Sequence, residues 1–124
     1  MTDLTSQPPY PDFVAALAKP GKAVLADLTP TSAHLLHMAV GVSGEAGELL
    51  DAVKKHSIYA KTLDLANVVE ELGDLEFYME GLRQTLGITR QETLLANREK
   101  LAKRYASLTY SNQAAQDRAD KAST

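Results

Sequence analysis

Residues 65–87 read LANVVEELGDLEFYMEGLRQTLG, and this stretch decides the fold class. Its apolar side chains recur at alternating spacings of three and four, which is the period of one face of an α-helix. The stripe consists of Leu65, Val68, Leu72, Leu75, Met79, Leu82 and Leu86. Gly87 follows it directly, and glycine is a common helix terminator. The sequence therefore predicts a long amphipathic helix that ends at Gly87.

Helical signals continue on both sides of this stretch. Upstream, Thr29-Pro30 has the form of an N-cap followed by proline at the first helical position. A second apolar stripe then runs to about residue 55, through Leu35, Ala39, Val42, Ala46, Leu49 and Val53. Downstream, Thr89-Arg-Gln-Glu92 has the form of a capping box. The third helix that it opens is marked by Leu94, Leu101, Tyr105 and Leu108, and an apolar stretch over 13–18 predicts a short first helix.

No segment alternates apolar and polar residues with a period of two, and no Asn-Gly turn occurs. The predicted fold is therefore all-α, a bundle of about four helices. With 124 residues the chain builds one small core, and we expect oligomerisation to complete that core. Three regions are expected: a lead-in with a short helix over 1–28, the helical domain over 29–108, and a polar C-terminal tail over 109–124. The tail is expected to become ordered only by contact with something else.

Composition excludes several classes of function. The chain has no cysteine, so disulfides, thiolate metal sites and a cysteine nucleophile are excluded. A formal net charge of −3 argues against binding to a nucleic-acid polymer. No apolar run reaches the roughly 20 residues that span a bilayer, and the N-terminus lacks the pattern of a signal peptide. We expect a cytoplasmic protein that does not bind membranes.

Four acidic residues suggest a metal site. Glu45 and Glu48 form an i, i+3 pair on one predicted helix, and Glu71 and Asp74 form another on the next. If the two helices pair, four carboxylates converge, and a hard divalent cation relieves their repulsion. Oxygen ligation of this kind suits Mg²⁺ or Mn²⁺. The alternative interpretation is that these acids are solvated helix edges.

Other polar residues bear on the identity of that site. A di-iron bundle needs Glu-x-x-His pairs, and none of the three histidines follows a glutamate by three, so His34 and His37 are left out of the metal site. Three glycines interrupt the first long helix at positions 41, 44 and 47, each at a cost of about 1 kcal/mol. They provide either close helix packing or room for a nucleotide beside the acids.

The segments GEAGELLDAVKK (44–55) and EELGDLEFYME (70–80) resemble the paired acidic motifs of the MazG-like, all-α nucleoside triphosphate pyrophosphohydrolases. ANREKLAKRY (96–105) is similar to the basic segment of that family, and AAQDRADK is similar to the tail of its phage and bacterial members. The resemblance covers roughly residues 30–121. It implies Mg²⁺-dependent hydrolysis of a nucleoside triphosphate between the α and β phosphates, giving a monophosphate and pyrophosphate. It also implies a homo-oligomer, a dimer or a tetramer.

The resemblance also implies roles for individual residues. Glu45, Glu48, Glu71 and Asp74 would bind the metal, and we take Glu48 as the group that accepts the proton of the attacking water. The residues expected to contact phosphate or nucleotide are Lys54, Asn97, Lys100, Arg104 and Tyr105. A different class of function stays open from the residues alone, namely a non-catalytic helical oligomerisation module or a nucleotide sensor.

Overall fold

The computed structural model describes residues 3–121, and within that range the regular secondary structure is helical and contains no strand. The all-α class is confirmed. In chain order the α-helices are α1 (Tyr10–Leu17), α2 (Gly21–Asp27), α3 (Pro30–Ser57), α4 (Leu65–Leu86), α5 (Arg90–Arg104) and α6 (Asn112–Asp117). Short 3-10 turns lie at Leu4–Ser6 and Ala119–Lys121. None of the helices described is long and apolar enough to cross a lipid bilayer. The ends of the predicted lead-in and tail, residues 1–2 and 122–124, lie outside the described range.

The chain divides into two compact units, and the division falls between Ala33 and His34. The first unit contains α1 and α2. The predicted helix over 13–18 is observed as α1, which begins three residues earlier at Tyr10 and includes Pro11 in its first turn. Helix α2 was not predicted. It starts directly after Pro20, where a missing N–H costs nothing, although Pro20-Gly21 suggests only a helix end when read from sequence.

The predicted start of α3, end of α4 and start of α5 are confirmed. Helix α3 begins at Pro30, with the Thr29 hydroxyl accepting a hydrogen bond from the Ser32 N–H. Helix α4 ends at Leu86, and Gly87 takes the left-handed conformation (φ +66°) that glycine adopts without strain. The Thr89–Glu92 capping box opens α5. Local sequence chemistry therefore sets where each of these helices begins or ends.

Helices α3 and α4 form an antiparallel hairpin, in which a side chain of each helix lies over a glycine of the other. The Tyr78 ring of α4 covers Gly41 of α3, and the Met38 side chain of α3 covers Gly81 of α4. A Cβ atom at either glycine would overlap with the side chain that covers it. Residue numbers rise along α3 as they fall along α4, so this reciprocal packing fixes the antiparallel register.

The packing of α3 on α4 is centred beside the leucine stripes, whose members Leu49, Leu75 and Leu82 are half-buried. It follows the neighbouring stripe, which contains Met38, Gly41 and Glu45 on α3 and Glu71, Tyr78 and Gly81 on α4. Glycine explains this position, because the missing Cβ atoms of Gly41 and Gly81 leave room for the Tyr78 and Met38 side chains that cover them. The leucine stripes lie beside the contact, and helix geometry places both on the same side of the hairpin.

The side of the hairpin that carries the leucine stripes, which we call the apolar face, is largely open to solvent. Buried hydrophobic residues in the described range are limited to Met38 and Ala52. The apolar face has half-buried side chains next to the helix contact and exposed ones beyond it. The exposed members include Leu65 and Leu72 of the stripes and, one residue past a stripe position and so further round each helix, Leu36, Val40, Leu50 and Val69; the exposure of these six ranges from 49% to 66%. This chain therefore leaves apolar surface uncovered along both of its longest helices.

The segment after α5 differs from the expectation. The third helix ends at Arg104, four residues before Leu108, and Leu108 itself has a positive φ of 56°. The tail was expected to become ordered only by contact with something else. In the structure, α6 and the turn at Ala119–Lys121 pack against α5 of the same chain, and Asp120 forms an ion pair with Arg104.

Candidate metal centre

Three of the four predicted metal ligands come together across the α3–α4 hairpin. One carboxylate oxygen from each of Glu45, Glu71 and Asp74 lies within 4.8 Å of the other two. Glu45 belongs to α3, whereas Glu71 and Asp74 lie one turn apart on α4, so the hairpin itself assembles the cluster. Glu45 and Glu71 are half-buried and Asp74 is exposed, so one side of the cluster is open to solvent. We call these three residues the acidic cluster.

The electrostatics of the acidic cluster favour the binding of a positive charge. The pKa of Glu71 is raised above its ordinary value of 4.5, first by desolvation and then by a hydrogen bond shared with Glu45. The charges of Glu45, Glu48 and Asp74 raise it further. A carboxyl group between other carboxylates keeps its proton more readily because a second negative charge there is repelled. A divalent cation removes the same repulsion without a proton.

The donor set fits a hard divalent cation. Carboxylate oxygens are the ligands that Mg²⁺, Mn²⁺ and Ca²⁺ accept, and three of them leave room for water and for an anionic ligand. No histidine belongs to the acidic cluster described here, so the softer nitrogen ligation typical of zinc is not offered. Exposed acids are common without an ion, and the cluster by its composition does not select among the hard cations.

Glu48 lies apart from the acidic cluster. It is exposed on α3, one turn beyond Glu45, and it contributes no oxygen to the group within 4.8 Å. Its charge nevertheless acts on Glu71 and raises the pKa of that residue. The structure thus separates three carboxylates that can share one ion from a fourth carboxylate beside them.

Lys54 is held by groups on its own helix and on the turn that follows. Its Nζ lies 3.6 Å from an Asp51 carboxylate oxygen and 5.8 Å from the ring centre of Tyr59. Asp51 also forms an ion pair with Lys55 at 2.7 Å, and this contact lowers the pKa of Asp51. Asp51 was not singled out in the sequence, although its spacings of three and four from the two lysines are the signal for such pairs.

The residues of α5 and its C-cap that are expected to bind nucleotide lie along one face of the helix and at its C-terminal end. Asn97 lines a cavity of about 330 Å³ together with Gln91, Leu94, Leu95 and Arg98. Lys100 is exposed. Tyr105 lines a mainly apolar groove of about 740 Å³, in which Leu95, Leu101, Leu108 and Tyr110 also take part.

Arg104 is bound to Asp120, a residue that sequence reasoning missed. Arg104 Nε donates to Asp120 Oδ1 at 2.7 Å, and Nη2 donates to Oδ2 at 3.0 Å. Sixteen residues separate the partners, so no helical spacing indicates the pair. The close packing of Tyr78 on Gly41 was also missed as a specific contact, although both residues lie on the stripe that carries the acids.

Comparison with known proteins adds no relative from which a role could be transferred: no family model, no curated protein and no solved structure matches this chain.

Proposed function

We propose that this chain hydrolyses a nucleoside triphosphate, or a deoxynucleoside triphosphate, at the α–β phosphate bond and releases a monophosphate and pyrophosphate. The observation that carries the proposal is the acidic cluster, in which carboxylates from two helices meet within 4.8 Å. The resemblance of residues 44–55 and 70–80 to MazG-like motifs supplies the reaction, and the cluster supports it because phosphoryl transfer requires cations beside the phosphates.

Glu45, Glu71 and Asp74 would hold Mg²⁺, or Mn²⁺ in its place, with Glu48 as the neighbouring fourth carboxylate. When bound, such a cation supplies the positive charge that stabilises the phosphate oxygens and the pyrophosphate leaving group. The raised pKa of Glu71 supports this assignment, because desolvation first and then the neighbouring carboxylates disfavour its negative charge, and a bound cation would offset that penalty.

Glu48 is our candidate general base. Its carboxylate is exposed and lies outside the acidic cluster, so it is free to accept a proton. In the proposed step a water oxygen forms a bond to the α-phosphorus, the bond to the bridging oxygen breaks, and Glu48 takes the proton of the water. Lys54, Asn97 and Lys100 would donate to phosphate or nucleotide, and Arg104 and Tyr105 complete the proposed binding set.

We further propose that the chain works as a homo-oligomer, a dimer or a tetramer, in the cytoplasm where its substrate is found. The apolar face supports a second copy as the partner. Its six exposed side chains are roughly half accessible, and covering them would contribute on the order of 5 to 9 kcal/mol. A surface of this kind marks an interaction site more often than free surface.

The decisive experiment is a panel of nucleotides with product analysis. Purified protein is incubated with each ribo- and deoxynucleoside triphosphate and Mg²⁺, and both the monophosphate and pyrophosphate are quantified. We expect equimolar products from at least one substrate, and no turnover in EDTA. Asp74→Asn should reduce kcat by at least a hundredfold while far-UV circular dichroism stays unchanged. The matched control is Glu76→Gln, which alters an exposed acid on the same helix outside the acidic cluster.

The competing function is a non-catalytic oligomerisation or nucleotide-sensing module, which the open apolar face also fits. This alternative predicts no product from any nucleotide. An oligomerisation module would in addition have a melting temperature that neither Mg²⁺ nor EDTA changes, and a sensor would bind nucleotide without turnover. Either result would replace the hydrolase proposal.

A further inference from the structure

The pair between Arg104 and Asp120 uses only part of the hydrogen-bonding capacity of the guanidinium group. Asp120 accepts from Nε and Nη2, which form one edge of the planar group. A guanidinium has five N–H donors, and the edge formed by Nη1 and the second N–H of Nη2 is equally suited to an oxyanion. In the described part of the chain Nη1 makes no hydrogen bond, although the Tyr105 side chain lies beside the guanidinium group and, after Asp120, contributes to the raised pKa of Arg104. Because no side-chain nitrogen or oxygen without a partner is fully buried in the described residues, Nη1 reaches solvent, on a side chain that is 18% exposed.

Burial fixes the pair in place. The Asp120 side chain is 1% exposed and the Arg104 side chain 18% exposed. The hydrogen bonds to Arg104 are the main reason why the pKa of Asp120 is lowered, so Asp120 stays ionised. A carboxylate this inaccessible cannot leave unless the turn at Ala119–Lys121 detaches from α5. Asp120 thus acts as a permanent ligand of Arg104 and not as a group that a small anion displaces.

Arg104 also continues a row of donors on α5. Asn97, Lys100 and Arg104 follow one another at spacings of three and four, which places them on one face of the helix. The acidic residues of α5, Glu92 and Glu99, lie on other faces by the same periodicity. Asp120 is therefore the acidic residue that meets this row, and it does so on the edge of Arg104 that points away from the unused donors.

We propose that Asp120 is a positioning residue, which orients Arg104 so that the free edge of the guanidinium binds an oxyanion of a phosphate group. The turn at Ala119–Lys121 thereby belongs to an anion subsite, although it lies far along the chain from the acidic motifs. The identification of the anion as a phosphate of the substrate rests on the proposed function. The existence of an anion subsite at Arg104 does not.

Binding of inorganic pyrophosphate to the full chain tests the subsite without turnover. Isothermal titration calorimetry with and without Mg²⁺ compares wild type, Asp120→Asn, Arg104→Met and the double variant. We expect Asp120→Asn to weaken pyrophosphate binding about tenfold, and Arg104→Met at least as much. In the Arg104→Met background, Asp120→Asn should have no further effect on the affinity. Asp117→Asn is the matched control, an exposed acid three residues away whose affinity should equal that of wild type.

Kinetics separates positioning from a purely structural role. With a substrate from the nucleotide panel, Asp120→Asn should raise KM about tenfold and leave kcat within about twofold, because the acidic cluster lies on other helices. Circular dichroism should show wild-type helicity. If Asp120→Asn does not fold, Arg104→Lys decides. Lysine keeps the charge beside Asp120 but offers no second edge, so wild-type pyrophosphate affinity in that variant would overturn the proposal.

Three results contradict the proposal: no pyrophosphate binding to wild type, unchanged affinity in a folded Asp120→Asn variant, or tighter binding in that variant. The last would mean that Asp120 competes with the anion. If no nucleotide is hydrolysed but both variants lose pyrophosphate affinity, the subsite stands and the hydrolase assignment fails. If nucleotides are hydrolysed and the variants bind pyrophosphate with wild-type affinity, the hydrolase assignment stands and the anion subsite fails.

Discussion

Replacing Gly41 by Ala tests the packing of Tyr78 on Gly41, a contact that joins α3 to α4 near the acidic cluster. A Cβ atom at Gly41 would overlap with three carbons of the Tyr78 ring, including Cγ at its stem, so the ring cannot turn away from it. At Gly44, three residues later on α3, an added Cβ would have no atom of residues 3–121 within 4 Å, apart from its own helix backbone. Both substitutions gain the same helix propensity, about 1 kcal/mol. Their difference therefore isolates the steric term.

Overpacking of this kind costs about 1–3 kcal/mol. At roughly 4 °C per kcal/mol for a domain of this size, Gly41→Ala should melt about 4 to 12 °C below Gly44→Ala. Gly81→Ala should fall between them, because the overlap at Gly81 is with the sulfur and Cγ of Met38, a flexible side chain. Differential scanning calorimetry at one protein concentration measures all three.

The same series has a functional readout. Gly41 precedes Glu45 by about one helical turn, so a displaced Tyr78 separates α3 from α4 where the cluster forms. We expect the rise in melting temperature on adding Mg²⁺ to shrink in Gly41→Ala and to persist in Gly44→Ala. If Gly41→Ala melts at or above the temperature of Gly44→Ala, the packing described for the hairpin is wrong.

Three further predictions concern charge and the apolar face. Glu71→Gln removes a charge that is disfavoured by desolvation and by the neighbouring carboxylates, so in EDTA the variant should have a higher melting temperature than wild type. Adding Mg²⁺ should raise the melting temperature of the variant by less than that of wild type. Thermal melts in EDTA and in Mg²⁺ measure the two effects, and a melting temperature below that of wild type in EDTA contradicts the reasoning. The pKa of Asp120 is held below 3.8 by Arg104, so the pair stabilises the fold at neutral pH and loses that contribution as the pH falls below 3.8. Acid-unfolding curves of wild type and Asp120→Asn should therefore converge below about pH 4, and a gap that widens there would refute the assignment. Leu72→Glu on the apolar face should shift the mass measured by light scattering toward that of the monomer. The control is Leu4→Glu, at a leucine that is 75% exposed, which should leave the mass unchanged. An unchanged mass for both variants argues against the apolar face as the interface.

The boundaries of the long helices were predictable because they depend on residues close in sequence. Thr29-Pro30, Gly87 and the Thr89–Glu92 box each act within one helical turn, and the structure has all of them as expected. The convergence of Glu45 with Glu71 and Asp74 was also within reach, since two i, i+3 pairs on successive helices meet if the helices are antiparallel.

Which stripe of each helix makes the contact between α3 and α4 was harder to predict from the sequence. Hydrophobic periodicity points to the leucines as the surface between α3 and α4, yet the structure uses Gly41 and Gly81. Pattern reasoning identifies an apolar face but does not say which partner covers it, a helix of the same chain or another molecule. The role of Asp120 lies further out of reach, because it depends on how the chain turns back after Tyr105.

The acidic cluster is complete within one hairpin, from Glu45 to Asp74, and this has a consequence for the order of assembly. A cation held by it would join two points roughly 30 residues apart and so act as a reversible cross-link that reduces the conformational entropy of the unfolded hairpin. The hairpin does not need a second subunit to acquire that link. Metal loading can therefore precede subunit association, and a chelator would loosen α3 from α4 before it separates one chain from another.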